Sequence, residues 1–154
     1  MRVAQYEPSL AGAFKRLNLE WIERHFAVEQ ADLDVLDDPS GHVLDSGGRI
    51  LFAVDDDGDV VGCVALKHDG DGVYELSKMA VAPDRRGAGV GRLLMDALLE
   101  VFHELGGIRL YLESNRKLEA ALSLYERSGF VHRDPPHPSP YSRADVYMVW
   151  EGRR

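Results

Sequence analysis

The sequence predicts a mixed α/β (α+β) fold: one central mixed sheet of about six to seven strands, flanked by about four helices, in a single domain spanning residues 1–154. Three observations carry that expectation. Two turn clusters, Asp55-Asp56-Asp57-Gly58-Asp59 and Asp69-Gly70-Asp71-Gly72, separate apolar runs at 49–54, 60–67 and 73–81. Such spacing predicts an antiparallel meander. Residues 73–112 then read strand, helix, strand, which favours a parallel pair with a right-handed crossover. Finally, 154 residues suffice for one well-filled core.

The elements follow in order. Residues 3–6 form a short strand stopped by Pro8, and Ser9 is placed to cap a helix over 10–25, where Leu10, Phe14, Leu17, Trp21 and Ile22 recur at helical spacing. Residues 31–36 read as a second short helix, and 40–48 as a loop. After the meander, Val90, Leu93, Leu94, Ala97, Leu98, Val101, Phe102 and Leu105 make one apolar stripe, the clearest helix in the chain. Gly106-Gly107 ends it, and 108–112 is a strand. Asn115 can cap a helix over 116–128, stopped by Gly129. A strand at 130–131, a proline-rich loop over 133–142 and a last strand over 144–150 complete the chain.

Bulk properties narrow the function. The formal net charge is -8, which argues against a nucleic-acid or anionic-membrane partner and would steer in a cation. The single cysteine, Cys63, has no partner for an internal disulfide and sits in an apolar strand. No apolar stretch approaches ~20 residues, and the first residues lack a secretory apolar region, so the expected compartment is the cytoplasm. The six histidines show no ligand spacing, and the aspartate turn lacks the EF-hand pattern, so no metal is expected.

One stretch carries chemistry. Met79-Ala80-Val81-Ala82-Pro83-Asp84-Arg85-Arg86-Gly87-Ala88-Gly89-Val90-Gly91-Arg92 runs from a strand through a basic glycine loop into a helix. Glycines leave backbone N–H groups uncovered, and a helix N-terminus attracts anions. The Walker pattern is absent, because no Lys-Ser or Lys-Thr follows the glycines, and the dinucleotide pattern fails because the glycines are one residue too close together. The pattern present is R-x-x-G-x-G, at Arg86, Gly89 and Gly91. Downstream, Ala120-Ala121-Leu122-Ser123-Leu124-Tyr125-Glu126-Arg127-Ser128-Gly129-Phe130 carries A-x-x-L-Y-x-x-x-G-F.

With Tyr74-Glu75-Leu76-Ser77-Lys78-Met79-Ala80-Val81 upstream, these co-linear segments resemble the GCN5-related N-acetyltransferase (GNAT) family over roughly residues 50–131. The resemblance implies a GNAT-like single domain with a splayed parallel strand pair. It also implies direct transfer of the acetyl group of acetyl-CoA, as co-substrate, to a primary amine of a small molecule or peptide. Met79, Ala80 and Val81 would line the pantetheine arm, and an N–H near Met79 would polarise the thioester carbonyl. Arg86, Gly87, Ala88, Gly89, Val90, Gly91 and Arg92 would cradle the pyrophosphate. Tyr125 would protonate the departing thiolate, a task for which a phenol with a reference pKa of ~10 is suited.

The general base has two candidates, Glu75 and Glu113, and some relatives rely on water chains instead. In an unbroken strand Glu75 shares a face with Ser77, Met79 and Val81, unless a bulge intervenes. The family's cofactor-contacting Asn has no counterpart, since Leu118 stands there, and Asn115 either caps the helix or reaches the cofactor. The acceptor pocket would be built by the first two helices and the final strands, which supply Trp21, Glu29, Asp32, His132, Arg133, Tyr141, Arg143 and Asp145. Its acids suit a cationic amine and its arginines a carboxylate, a conflict that an amino-acid-like amine would satisfy. The rival to an enzyme is a non-catalytic acyl-CoA sensor on the same fold, and a homodimer would be in keeping with the family.

Overall fold

The computed structural model describes residues 1–152. Seven strands form one sheet: β1 (Arg2–Gln5), β2 (Arg49–Val54), β3 (Val60–Gly70), β4 (Val73–Val81), β5 (Arg109–Ser114), β6 (Phe130–His132) and β7 (Val146–Trp150). Their order is β1-β2-β3-β4-β5-β7-β6. Only β4 and β5 pair in parallel, while β1 to β4 form the expected antiparallel meander. Four α-helices pack on the sheet: α1 (Ala11–His25), α2 (Gln30–Asp37), α3 (Val90–Glu104) and α4 (Glu119–Ser128). No helix among the described residues is long and apolar enough to cross a membrane.

The alternation of β2 and β3 assigns the layers. Leu51, Ala53, Val64 and Leu66 meet the α3 stripe, where Leu94, Met95, Leu98 and Phe102 are buried. Ile50, Phe52, Cys63 and Ala65 point the other way, onto Phe14, Leu17 and Ile22 of α1 and Val35 and Leu36 of α2. The central strands are therefore apolar on both faces, as burial between two helical layers requires. Gly62 lets the start of α3 approach: a Cβ there would lie 2.8 Å from Val90 and 3.0 Å from Leu94. The helix N-terminus is thus pressed against the sheet where β4 ends.

Four local expectations are corrected. Ser9 makes no capping bond, because Pro8–Leu10 is a 3-10 turn leading into α1. Residues 40–48 are not all loop, since Ser40–Leu44 forms a π-helical turn that buries Val43. The last strand starts at Val146 rather than 144. The last helix starts at Glu119 rather than 116, because side chains capture the backbone before it. Asn115 Oδ1 accepts the Lys117 N–H at 2.9 Å, and Asp145 Oδ1 accepts the Arg116 N–H at 2.9 Å. Such side-chain bonds offer the chain an alternative to the helix.

Candidate active site

The parallel pair parts early. Only Val73↔Arg109, Tyr74↔Leu110 and Glu75↔Tyr111 are in register. Beyond Glu75, β4 stays with β3 while β5 turns to β7. The fork opens a cavity that reaches both faces of the sheet. Tyr125 of α4 lines it from the α3 side, and Trp21, Phe26, Tyr141 and Arg143 line it from the α1 side. Glu75, Ser77, Lys78, Met79, Glu113 and Asn115 form its edges.

A bulge intervenes in β4. Ala65 pairs with Ser77, but Cys63 pairs with Ala80, so three residues of β4 span two of β3. Lys78 takes the left-handed conformation there, at φ +53°, which costs a non-glycine residue about 1–2 kcal/mol. The extra residue reverses the alternation. Met79 and Val81 therefore pack on the α3-side core with Leu76, while Glu75 shares the opposite face with Ser77 and Ala80. The expectation that Glu75, Ser77, Met79 and Val81 share a face is overturned. The consequence is useful chemistry, because the strand segment resembling a thioester site faces one layer and the candidate base faces the other.

Glu75 is the electrostatically distinctive group. Burial raises its pKa to about 7, and the Glu113 and Asp69 carboxylates add to the rise. Its carboxyl has no hydrogen-bond or ion-pair partner among the described residues, and neither has that of Glu113. A carboxyl that titrates near neutrality can take a proton from an ammonium and pass it on. Tyr125 is 8 % exposed and edge-on to Phe130. Burial pushes its phenol up to about 12, so it stays protonated and can donate.

The glycine loop is built from a 3-10 turn, Pro83–Arg85, followed by Gly87 at φ +81° and Gly89 at φ +83°. The N–H groups of Gly87, Gly89, Val90, Gly91 and Arg92 make no hydrogen bond among the described residues, so five donors are free in the glycine loop and the first turn of α3. The arginines behave differently. Arg85 binds Asp55 at 2.7 Å. Arg86 turns inward to Glu20 at 3.3 Å and to the Val81 carbonyl at 3.3 Å, and lies 4.8 Å over the Trp21 ring. Arg92 is exposed, 3.4 Å from Asp96. The free donors here are thus the backbone N–H groups. Gly89→Ala is expected to raise KM for acetyl-CoA several-fold in steady-state kinetics, because a left-handed residue caps α3. Stability should fall by only about 1 kcal/mol.

The wall on the α1 side is an ion cluster. Asp32, 0 % exposed, receives both guanidinium nitrogens of Arg143 at 2.8 and 2.6 Å and the Lys78 ammonium at 2.7 Å. Burial opposes its ionisation, but those bonds outweigh it and hold the carboxyl well below the usual range. Lys78 also donates to the Tyr141 hydroxyl at 3.0 Å. Glu29 takes Arg143 at 3.3 Å and the Ser142 N–H at 3.1 Å. The capping box of α2 pins Asp32 in place, since its Oδ2 also accepts the Glu29 N–H at 2.9 Å.

The structure brings together Trp21, Tyr141, Arg143, Glu75, Glu113, Tyr125, Met79 and Asn115 around one cavity. It does not bring Arg133 there. Arg133 is paired with Glu151 and lines a neighbouring cleft with Asp134, His137 and Tyr147. Both ends of the Asn115 amide are used, one on Lys117 and one on the Arg143 carbonyl at 2.7 Å. Lys78 was missed in the sequence, where a lone lysine in a strand carries no signal of a bulge. The oxygens of Asp55, Asp57 and Asp59 lie within 4.8 Å of one another. Asp55, however, is held by Arg85 and by the N–H groups of Asp57 and Asp59, as turn chemistry requires.

Comparison with known proteins follows the same lines. The model of the acetyltransferase (GNAT) family matches residues 14–130. An uncharacterized N-acetyltransferase of Escherichia coli K12 is 30% identical over 136 residues, covering 84% of this chain and 79% of its own. One from Schizosaccharomyces pombe is 30% identical over 142 residues, covering 90% and 86%. A GNAT-family acetyltransferase from Staphylococcus aureus Mu50 superposes with a TM-score of 0.87 at 19% identity over 97% of both chains. The Salmonella typhimurium protein yncA, solved with its cofactor acetyl-CoA, superposes at 0.74 with 18% identity, over 97% of this chain and 91% of its own.

Proposed function

The chain belongs to the GNAT acetyltransferase family and is an acetyl-CoA-dependent acyltransferase; from that premise we propose that it acetylates a primary amine of a small molecule or peptide directly, in a ternary complex. The observation that carries this reading is the cavity through the β4–β5 fork, which joins Glu75 on one face to Tyr125 on the other. The five free N–H groups at the start of α3 fit a pyrophosphate, whose charge they meet without a side chain in the way.

In this reading acetyl-CoA supplies the thioester, and the chain's residues handle protons and position. Glu75 accepts the proton that the ammonium must lose before it attacks. The amine nitrogen then bonds to the acetyl carbon, the carbon–sulfur bond breaks as Tyr125 gives its proton to the departing sulfur, and the second proton of the acylated nitrogen leaves to solvent, from which the Tyr125 phenol is restored. Trp21 of α1 and Tyr141 of the loop before β7 wall the cavity on the side where the amine enters the reaction. A cytoplasmic location suits both the donor and the free, buried Cys63.

Thiol release from acetyl-CoA across a panel of amines tests the proposal. Tyr125→Phe should lower kcat by about 10²-fold, the usual size of an acid–base contribution, and leave acetyl-CoA binding unchanged in calorimetry. A wild type that binds acetyl-CoA but acetylates no amine would favour a sensor instead.

A further inference from the structure

We infer that the acceptor is a dication, a diamine whose reacting nitrogen lies at Glu75 and whose second ammonium is held by Glu113. This deepens the reading above and rests on it. Two cations line the cavity, and acidic side chains of the protein already neutralise both. Lys78, with a side chain 5 % exposed, is bonded to Asp32 and Tyr141. Arg143 is bonded to both oxygens of Asp32 and to Glu29. A substrate carboxylate would meet two cations whose charge the fully buried Asp32, with Glu29, already neutralises. The amino-acid-like acceptor suggested by the residue types alone is therefore disfavoured.

Among the described residues lining the cavity, two carboxylates remain without a hydrogen-bond or ion-pair partner, Glu75 and Glu113. Both lie on the same face of the sheet, because Glu75 is in register with Tyr111 and Glu113 is two residues further along β5. They stand on the two arms of the fork, a diagonal cross-strand step of about 7–8 Å before the arms part. Asp69, bonded to the Tyr111 hydroxyl, adds negative charge from beside them. The aromatic walls already carry cations of the protein itself. Arg86 covers Trp21, Lys117 covers Phe26, and Lys78 and Arg143 cover Tyr141. The unpaired charge lining the cavity is therefore carboxylate, with Lys67 in register beside Glu75, and the second carboxylate selects for a second cation.

Three probes of matched length test this: 1,4-diaminobutane, n-butylamine and 4-aminobutanoate, each with acetyl-CoA. The wild type should prefer the diamine over n-butylamine by about tenfold in kcat/KM, equivalent to about 1.4 kcal/mol, and should use 4-aminobutanoate least. Glu113→Gln should bring the diamine to within about threefold of n-butylamine, chiefly through KM. Glu113→Asp, which keeps the charge, should retain the preference. A wild type without preference, a preference that survives Glu113→Gln, or 4-aminobutanoate as the best acceptor would overturn the inference. If no amine is acetylated, calorimetric titration of the diamine into the enzyme saturated with CoA decides. Binding lost in Glu113→Gln sustains the dication site while the transfer reading fails, and no binding in the wild type ends both.

Discussion

Glu75→Gln is expected to lower kcat/KM by about 10²–10⁴-fold and to make the folded protein more stable at pH 8. The two effects have one cause. Burial, helped by Glu113 and Asp69, raises the carboxyl from 4.5 to about 7. Between those values the folded state keeps a proton that the unfolded chain has released. Stability therefore falls as pH rises from about 4.5 to 7, and the penalty is complete above that. Glutamine carries no charge to bury, so the variant should gain about 1–3 kcal/mol at pH 8 and nothing at pH 4. The wild-type kcat/KM should rise with pH through an inflection near 7 that the variant lacks, leaving only the slope of the amine's own deprotonation. Denaturant titrations at the two pH values and a pH–rate profile check both. An inflection that persists in Glu75→Gln would move the role of base to another group.

The second large effect is structural. Asp32→Ala should cost about 3–5 kcal/mol, because it leaves the buried Lys78 ammonium without its counter-ion and Arg143 with Glu29 alone. In a chain of this size that lowers Tm by about 10 °C or more. The pH window follows from a depressed folded-state pKa. The stabilisation is fully present above the unfolded value near 3.8 and is lost as pH falls below it. The gap between wild type and variant should thus close in acid. Because the same cluster holds Tyr141 and Arg143 against the cavity, KM for the amine should rise while KM for acetyl-CoA stays. A thermal melt within a degree or two of wild type would show that the cluster does not hold this wall.

The elements proposed to hold the donor were legible because they are local. The glycine loop, the strand before it and the helix after it are continuous in sequence, and the L-Y-x-x-x-G-F run sits on a single amphipathic helix. Periodicity and glycine placement are enough to locate such elements, and the helix over 90–104 and the meander appear close to where their patterns put them. The errors fell at ends and turns, where side chains such as Asn115 and Asp145 compete for backbone groups.

The acceptor half was legible only as a list of residue types. Asp32, Lys78 and Arg143 come from α2, β4 and the loop before β7, and their residue types alone suggested both a cationic and an anionic acceptor. Only the fold decides that these three neutralise one another and that Glu75 and Glu113 are left over. The bulge at Lys78 is the same kind of decision. A strand written as an apolar run has a period of two, and the sequence carries no mark of the one inserted residue. By itself, then, the sequence determined the meander, the glycine loop and the helix bearing Tyr125, because each rests on contacts between near neighbours in the chain. Tertiary structure decided which charges are spent and which face Glu75 takes. Both depend on groups brought together from distant segments, and burial makes their pairing matter.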